Sequence, residues 1–378
     1  MAHVLDTSGY ADPRRSPEAT STPRRLPSDR THGDRPLESQ NHYYGHSFGF
    51  AHYLGLDRPR HIAGLVQHGW TAQSPVETHF RDFPKLAADS PLPHQRLLVW
   101  SHSSRAWEPD RSAATTAVGA PFVYEALSRG ADSTATGQGT VIFPVHGIET
   151  QAISGDHRAA ARRWYDTEGP STVSIYWSDA RDERLVDTYL EAGHTCVTLG
   201  RRTDPHFLGR LYALLSGASR VVSNRLSTPV VYAGWLGREV GVYGDPMLLA
   251  SEDPGSLRRL ELLWPEFYGE KTVGDEVRAV AAVELGADAV LSRTELRRVL
   301  GWDRRRVAPW VRHWAVSPVE RALINVRRRS EAPTATSEAA GGPSWGAWFV
   351  AATSYLPRPL GSVDPSKTQP IRLETSRA

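Results

Sequence analysis

The segment from His206 to Asp245, HFLGRLYALLSGASRVVSNRLSTPVVYAGWLGREVGVYGD, constrains the fold more than any other part of the chain. Its apolar residues change period along its length. Phe207, Leu208, Leu211, Leu214 and Leu215 recur at helical spacing, and Arg220-Val221-Val222-Ser223 is a short β-rich run. A polar turn, Asn224 to Thr228, then opens a second helix, and Gly237 stops it before another β-rich run at Glu239 to Tyr243. Successive strands separated by a helix predict parallel pairing, because parallel strands need a crossover. The turn has chemistry of its own. Ser227 and Thr228 suit a helix N-cap and Pro229 suits the first helical position. The start of such a helix offers free N–H groups and positive dipole to an anion. Ser223, Asn224, Ser227 and Thr228 are therefore candidate phosphate-binding residues.

The same alternation runs through the middle of the chain. Candidate strands lie near 61–66, 96–100, 140–145, 173–177, 195–199, 220–223 and 239–243. Helical patterns cover Asp156 to Tyr165, Arg181 to Ala192 before Gly193, and Thr294 to Leu300 before Gly301; Asp275 is expected to cap a helix reaching Leu285. Ser317-Pro318-Val319-Glu320 reads as a capping box opening a final helix. A chain of 378 residues can bury two cores, and Gly155, Gly169 and Pro170 punctuate the region of the boundary. The expected fold class is α/β, with two Rossmann-like domains facing a cleft. The N-terminal domain spans 41–155 and the C-terminal domain 156–328. Residues 1–40 and most of 329–378 are rich in Pro, Ser, Thr and charge, and read as disordered tails. An apolar patch from Trp345 to Tyr355 interrupts the second tail. It is expected to dock on the body, with a peripheral membrane contact as the other possibility.

Composition removes several classes. The net charge is +2, too small to argue for a nucleic-acid partner, and Lys occurs only at positions 85, 271 and 367. The single cysteine, Cys196, excludes a disulfide framework and a multi-cysteine metal site. No apolar run approaches the roughly 18 residues of a membrane span. The N-terminus lacks the apolar region of a signal peptide, so a cytoplasmic location is expected. There is no Asp-x-Asp, His-Glu-x-x-His, Walker loop or Gly-x-Gly-x-x-Gly.

Ligands of open parallel sheets bind beyond the carboxyl ends of the strands. His68 and His146 each follow a candidate strand, and histidine can exchange a proton near neutral pH or donate to a phosphate. Glu149 and Asp179 are the carboxylates similarly placed to act as a base. Gly200 lets the backbone approach a ligand closely, and the guanidinium fork of Arg201 or Arg202 can clamp a diphosphate. Trp70 and Trp177 are candidates to stack on a sugar or base, with burial the simpler reading of Trp177.

The Ser223-Asn224 turn, Thr228, the Tyr232-Ala233 pair and Leu236-Gly237 before a strand resemble the donor half of GT-B glycosyltransferases, in particular bacterial enzymes of surface-polysaccharide biosynthesis. Val66 to Trp70, Gly119 to Tyr124 and Phe143 to His146 resemble further segments of that group, and together they cover roughly residues 41–320. The resemblance implies transfer of a sugar, hexosyl or sialyl, from a nucleotide-activated donor to a saccharide or surface-glycan acceptor. It implies no metal and no other cofactor. The C-terminal half would hold the donor, and the N-terminal half would supply the acceptor side and the base. A nucleotide-sugar epimerase of the same fold and a non-catalytic nucleotide- or glycan-binding protein remain open.

Overall fold

The computed structural model describes residues 40–60, 62, 64–76, 96–108, 114–130, 137–147, 153–249, 254–303 and 365–374. Within them lie two sheet regions, each flanked by helices. Parallel strands β1 (Leu65–Val66), β2 (Leu97–Val99) and β3 (Thr115–Ala117) form the first sheet, in that order. The second contains β4 (Thr140–Phe143), β6 (Thr172–Ser174), β7 (Thr195–Thr198), β8 (Arg220–Ser223), β9 (Glu239–Val242) and β11 (Ile371–Leu373), in the order β11-β7-β6-β4-β8-β9. All its pairings are parallel except β11 against β7. A small antiparallel pair, β5 (Ile153–Ser154) with β10 (Leu248–Leu249), sits apart.

Strand alternation gives the second sheet two apolar faces. Ile142, Val173, Cys196 and Val222 pack under Ala161 and Trp164 of α3 (His157–Glu168) and Val186 and Tyr189 of α4 (Glu183–Glu191). Val141, Phe143, Val197, Val221, Val240 and Val242 face α5 (Phe207–Gly217), α6 (Thr228–Trp235) and α8 (Gly274–Glu284). That second cluster does not stop at one sheet. It runs on through Phe122 of α2 (Pro121–Ser128), whose ring stacks flat on Tyr232 of α6 at 4.0 Å and 6°. The first sheet is covered by α1 (His46–Tyr53) and by α9 (Arg293–Leu300), through Phe50, Leu54, Leu296 and Leu300.

Local chemistry starts and stops these helices. Asp156 accepts the N–H groups of Arg158 and Ala159, and Asp182 those of Arg184 and Leu185. Ser292 and Glu295 form a full capping box, and Gly301 ends α9 in the left-handed region at φ 73°. Two expected caps differ. Asp275 lies inside the first turn of α8, which Val273 precedes without a side-chain cap. Ser227 precedes α6 but its hydroxyl makes no cap bond.

Three placements depart from the sequence reading. β4, expected on the N-terminal side of a boundary at 155, pairs with β6 and β8 at the centre of the second sheet. α9, expected with the C-terminal domain, packs on the first sheet. Part of the C-terminal tail, expected to be disordered, is ordered: β11 pairs residue by residue with β7, Ile371 opposite Thr198 and Leu373 opposite Cys196. The β7 edge offers unpaired backbone groups, and this short apolar-polar-apolar run satisfies them. The capping box at 317–320 and the Trp345–Tyr355 patch lie outside the described residues. Among the described residues no helix is long and apolar enough to cross a membrane.

Candidate functional site

The five parallel strands of the second sheet point their carboxyl ends at one edge. Val145-His146 follow β4 closely, Tyr176 to Asp179 come after β6, and Gly200 to Arg202 after β7. Asn224 follows β8 and Tyr243 to Asp245 follow β9. Connections run outward from β4 through β6 to β7, then return to β8 on the other side of β4. The switch point of such a sheet, where ligands characteristically bind, is thus between β4 and β8. From the first sheet, Gln67 to Trp70 after β1 reach the same edge, because the Trp70 N–H donates to the Thr228 hydroxyl at 3.1 Å.

Two tyrosines connect His68 to His146. The His68 ring lies edge-on to Tyr44 at 5.0 Å and to Tyr43 at 5.5 Å. The Tyr176 phenol lies close enough to Tyr44 to help raise its pKa. The Tyr176 ring stacks on His146 at 3.9 Å and 15°. Tyr44 holds a left-handed backbone, φ 55° and ψ 20°, which is uncommon for a bulky residue and costs about 1–3 kcal/mol. Its surroundings over-determine it: the Tyr44 N–H donates to the Arg202 carbonyl at 2.5 Å, and its ring packs edge-on to Phe207 at 5.0 Å. Burial, with Tyr176 next, pushes the Tyr44 phenol well above its ordinary range, so it stays protonated.

His146 has the electronics of a base. Burial lowers its imidazole below the ordinary value, partly offset by the Gly147 carbonyl and by the charge of Asp179. Nδ1 lies 2.7 Å from the Gly147 carbonyl, which can only accept, so Nδ1 carries the proton and Nε2 the lone pair. Asp179 opens the short turn Asp179–Arg181 and accepts from the Ser178 hydroxyl at 3.0 Å. Its charge acts on both His146 and His157. Glu149 lies outside the described residues.

The loop after β7 is braced from below. Gly200 has φ +85°, and a Cβ there would meet Arg210 Nη1 at 2.8 Å and Asp204 Oδ2 at 3.0 Å. Arg210 donates to Asp204 Oδ2 at 2.7 Å and to the Leu199 carbonyl at 2.9 Å. Above this brace, Arg201 lies over the Trp177 ring at 4.5 Å and Arg202 over Tyr43 at 4.6 Å. The Nε1 of the buried Trp177 has no hydrogen-bond partner.

The turn after β8 is knitted into the protein. Ser223 Oγ donates to the Phe143 carbonyl at 2.6 Å and accepts the Arg225 N–H at 3.2 Å. Asn224 Oδ1 accepts the Val145 N–H at 2.8 Å, and its Nδ2 donates to the Asp245 carbonyl at 2.7 Å. Asn224 therefore spans the crevice between β4 and β8. Thr228 holds Trp70, and Gly69 lies so close that a methyl there would come within 3.3 Å of the Thr228 hydroxyl. The side chains of Ser223, Asn224 and Thr228 thus have protein partners, which the sequence pattern did not foresee.

Trp70 is core. It lies edge-on to Trp264 at 4.7 Å, and its Nε1 donates to the buried Glu284 at 2.9 Å. His102 sits at the surface, 3.1 Å from the Thr115 hydroxyl. The sequence reading missed Tyr43, Tyr44 and Tyr176. Their available signal was position: Tyr43-Tyr44 precede Gly45, and Tyr176 follows a β-rich run. Among the described residues no group of three or more His, Cys, Asp or Glu is arranged to hold a metal ion. No family model and no curated protein matches the chain.

Proposed function

We propose that the protein transfers a sugar from a nucleotide-activated donor to a saccharide acceptor without a metal ion, with the two sheet regions acting as Rossmann-like halves of one catalytic body. The observation that carries this reading is that His68 and His146 stand at one edge of the protein with two tyrosines between them. They come from different sheets, at the carboxyl edge where parallel sheets bind ligands; Tyr44 packs against the first and Tyr176 stacks on the second. Neutral His146 has a free electron pair on Nε2 to take the proton of an acceptor hydroxyl. Arg201 and Arg202, with the backbone of the turn before α6, supply positive potential for the leaving diphosphate. The test is a thermal-shift screen of nucleotides and sugar nucleotides, followed by turnover of any hit with a panel of saccharide acceptors. A ligand at about 100 times its dissociation constant adds roughly 2.7 kcal/mol, a readily measured shift. No shift from any sugar nucleotide would sink the reading.

A second reading has an observation in its favour. Ser223, Asn224 and Thr228 are engaged in holding the protein together. That suits a nucleotide- or glycan-binding protein that performs no transfer. Donor binding without turnover or hydrolysis across the panel would select it.

A further inference from the structure

The backbone pairing of β4 with β8 ends where Phe143 lies opposite Ser223. The chain of β8 then turns away to begin α6, and two of its side chains carry the pairing further. Ser223 Oγ donates to the Phe143 carbonyl at 2.6 Å, and Asn224 Oδ1 accepts the Val145 N–H at 2.8 Å. These are the carbonyl and the N–H that a longer β8 would have engaged. The hold of β8 on its neighbour thus reaches the residue immediately before His146. Both side chains are buried.

His146 depends on that backbone. Its Nδ1 bonds the carbonyl of the next residue, Gly147, at 2.7 Å, and its ring stacks on Tyr176 at 3.9 Å. Where the imidazole stands is therefore set by the course of the chain at 145–147. Asn224 also has a footing on the far side. Its Nδ2 donates to the Asp245 carbonyl at 2.7 Å, and Asp245 Oδ1 accepts the Met247 N–H at 3.0 Å. A carboxamide suits this place because it accepts at one atom and donates at another. A carboxylate could only accept, and a hydroxyl is too short to span both partners.

We propose that Asn224 is a positioning residue for His146. Its bond to Val145 fixes the backbone from which the imidazole is presented, and its bond to Asp245 anchors that strut on the loop after β9. The inference rests on the glycosyl-transfer reading only in taking His146 as the base; the placement of the ring follows from the bonds themselves. A base displaced by about 1 Å loses about 10²-fold in rate, so the strut acts on turnover without touching the reacting atoms.

Two substitutions separate its two bonds. Asn224→Ser leaves a hydroxyl too short to reach Val145, and Asn224→Asp keeps the acceptor for Val145 while losing the donor to Asp245. Imidazole NMR at about pH 8, where the ring is neutral, reports the tautomer of His146 and the ring-current shift that Tyr176 imposes on it. In Asn224→Ser that shift is expected to shrink and Nδ1 to lose its hold on the proton; in Asn224→Asp both signals should stay near those of the wild type. Turnover should fall about 10²-fold in Asn224→Ser with KM changed less than about twofold, and change little in Asn224→Asp. Arg259 of α7 (Pro254–Leu263) donates to the Ala72 carbonyl at 3.2 Å and supplies a control, because Arg259→Ala cuts a different tertiary bond. Circular dichroism establishes that each variant is folded. Unmoved His146 signals in Asn224→Ser, or an equal movement in Arg259→Ala, overturn the assignment. Should Asn224→Ser not fold, Asn224→Asp decides: displaced His146 signals beside a Val145 amide still protected from exchange overturn it as well. Absence of turnover in the wild type sinks the transfer reading alone and leaves the spectra to decide the placement.

Discussion

The hydroxyl of Thr228, the first residue of α6, accepts the backbone N–H of Trp70 from the loop that follows β1. This bond ties the helix start at the second sheet to the first sheet. Thr228→Ala is expected to lower stability by about 1 kcal/mol, and Thr228→Ser to restore most of it. Urea denaturation measures both. If the backbone of this turn also holds a phosphate, Thr228→Ala will weaken diphosphate binding more than nucleoside binding, because it loosens the turn without touching the base. Equal effects on both ligands would leave Thr228 as a brace only.

Glu284, at the end of α8, is a second tie between the sheets. Its buried carboxylate accepts the Trp70 indole at 2.9 Å, the Ser104 hydroxyl at 2.7 Å and the Arg105 N–H at 3.0 Å. Glu284→Ala would strand three donors, at an expected cost of about 3 kcal/mol or more. Glu284→Gln keeps an acceptor and is expected to cost clearly less. Chemical denaturation of the two variants separates a network of bonds from simple packing; equal losses would argue for packing.

Helix starts and strand cores were legible in the sequence because local chemistry decides them. β8 spans the expected Arg220–Ser223, and α9 ends at the expected Gly301. The strands at 140, 195 and 239 are β-branched runs flanked by helical periods, and they form where the pattern placed them. α1 was missed because its buried residues run continuously from His46 to Ala51 and show no one-sided stripe. β3 was missed because Thr115–Ala117 is short and lacks a large apolar residue. Parallel pairing of successive strands was legible, but contacts between side chains distant in sequence were not. Nothing local to Tyr44 announces a left-handed backbone held by Arg202, or a ring packed between His68 and Phe207. The turn at 224–228 was located correctly, but its side chains were read as free for a ligand. Their partners, Val145, Phe143 and Trp70, lie far away in sequence.

Three histidines are held below their ordinary value of 6.5 by burial: His146, His157 and His194. The unfolded chain therefore binds protons that the folded chain does not. Stability is expected to fall as pH drops below about 6.5, and to keep falling until the folded-state histidines also protonate. His194→Gln, away from the candidate site, should flatten this slope between pH 6.5 and 5 without altering ligand binding. Denaturation midpoints across that range provide the check; a slope unchanged in His194→Gln would mean that the imidazole charges in the native state.

If His146 is the base, activity should follow the neutral form of a residue titrating below its ordinary value, and should persist into mildly acid solution. His146→Ala and His68→Ala are each expected to reduce turnover about 10²-fold or more, with the fold retained. Tyr44→Phe removes the phenol beside Tyr176 while keeping the ring against His68 and Phe207. A smaller loss is expected there, read as a shift in the acid limb of the pH profile. Full activity in either histidine variant would return that residue to a packing role.

The C-terminal strand supports the same site from its far side. β11 covers the β7 edge, and the carbonyl of Lys367, just before it, accepts Arg210 Nε at 3.0 Å. Arg210 in turn holds Leu199 and Asp204, the residues on either side of the Gly200–Arg202 loop. A chain lacking residues 365–378 would lose both the edge pairing and this anchor. A destabilisation of about 2 kcal/mol or more is expected from the charged hydrogen bond and the lost strand together. The exposed β7 edge also offers itself to other chains, so concentration-dependent self-association should accompany the loss. Hydrogen exchange should show reduced protection across 196–204 and little change at β9, on the opposite edge of the sheet. Light scattering and exchange on the shortened chain test this together. Unchanged protection at 196–204 would mean that the loop is held by Asp204 and Arg210 alone, and that the strand contributes only cover.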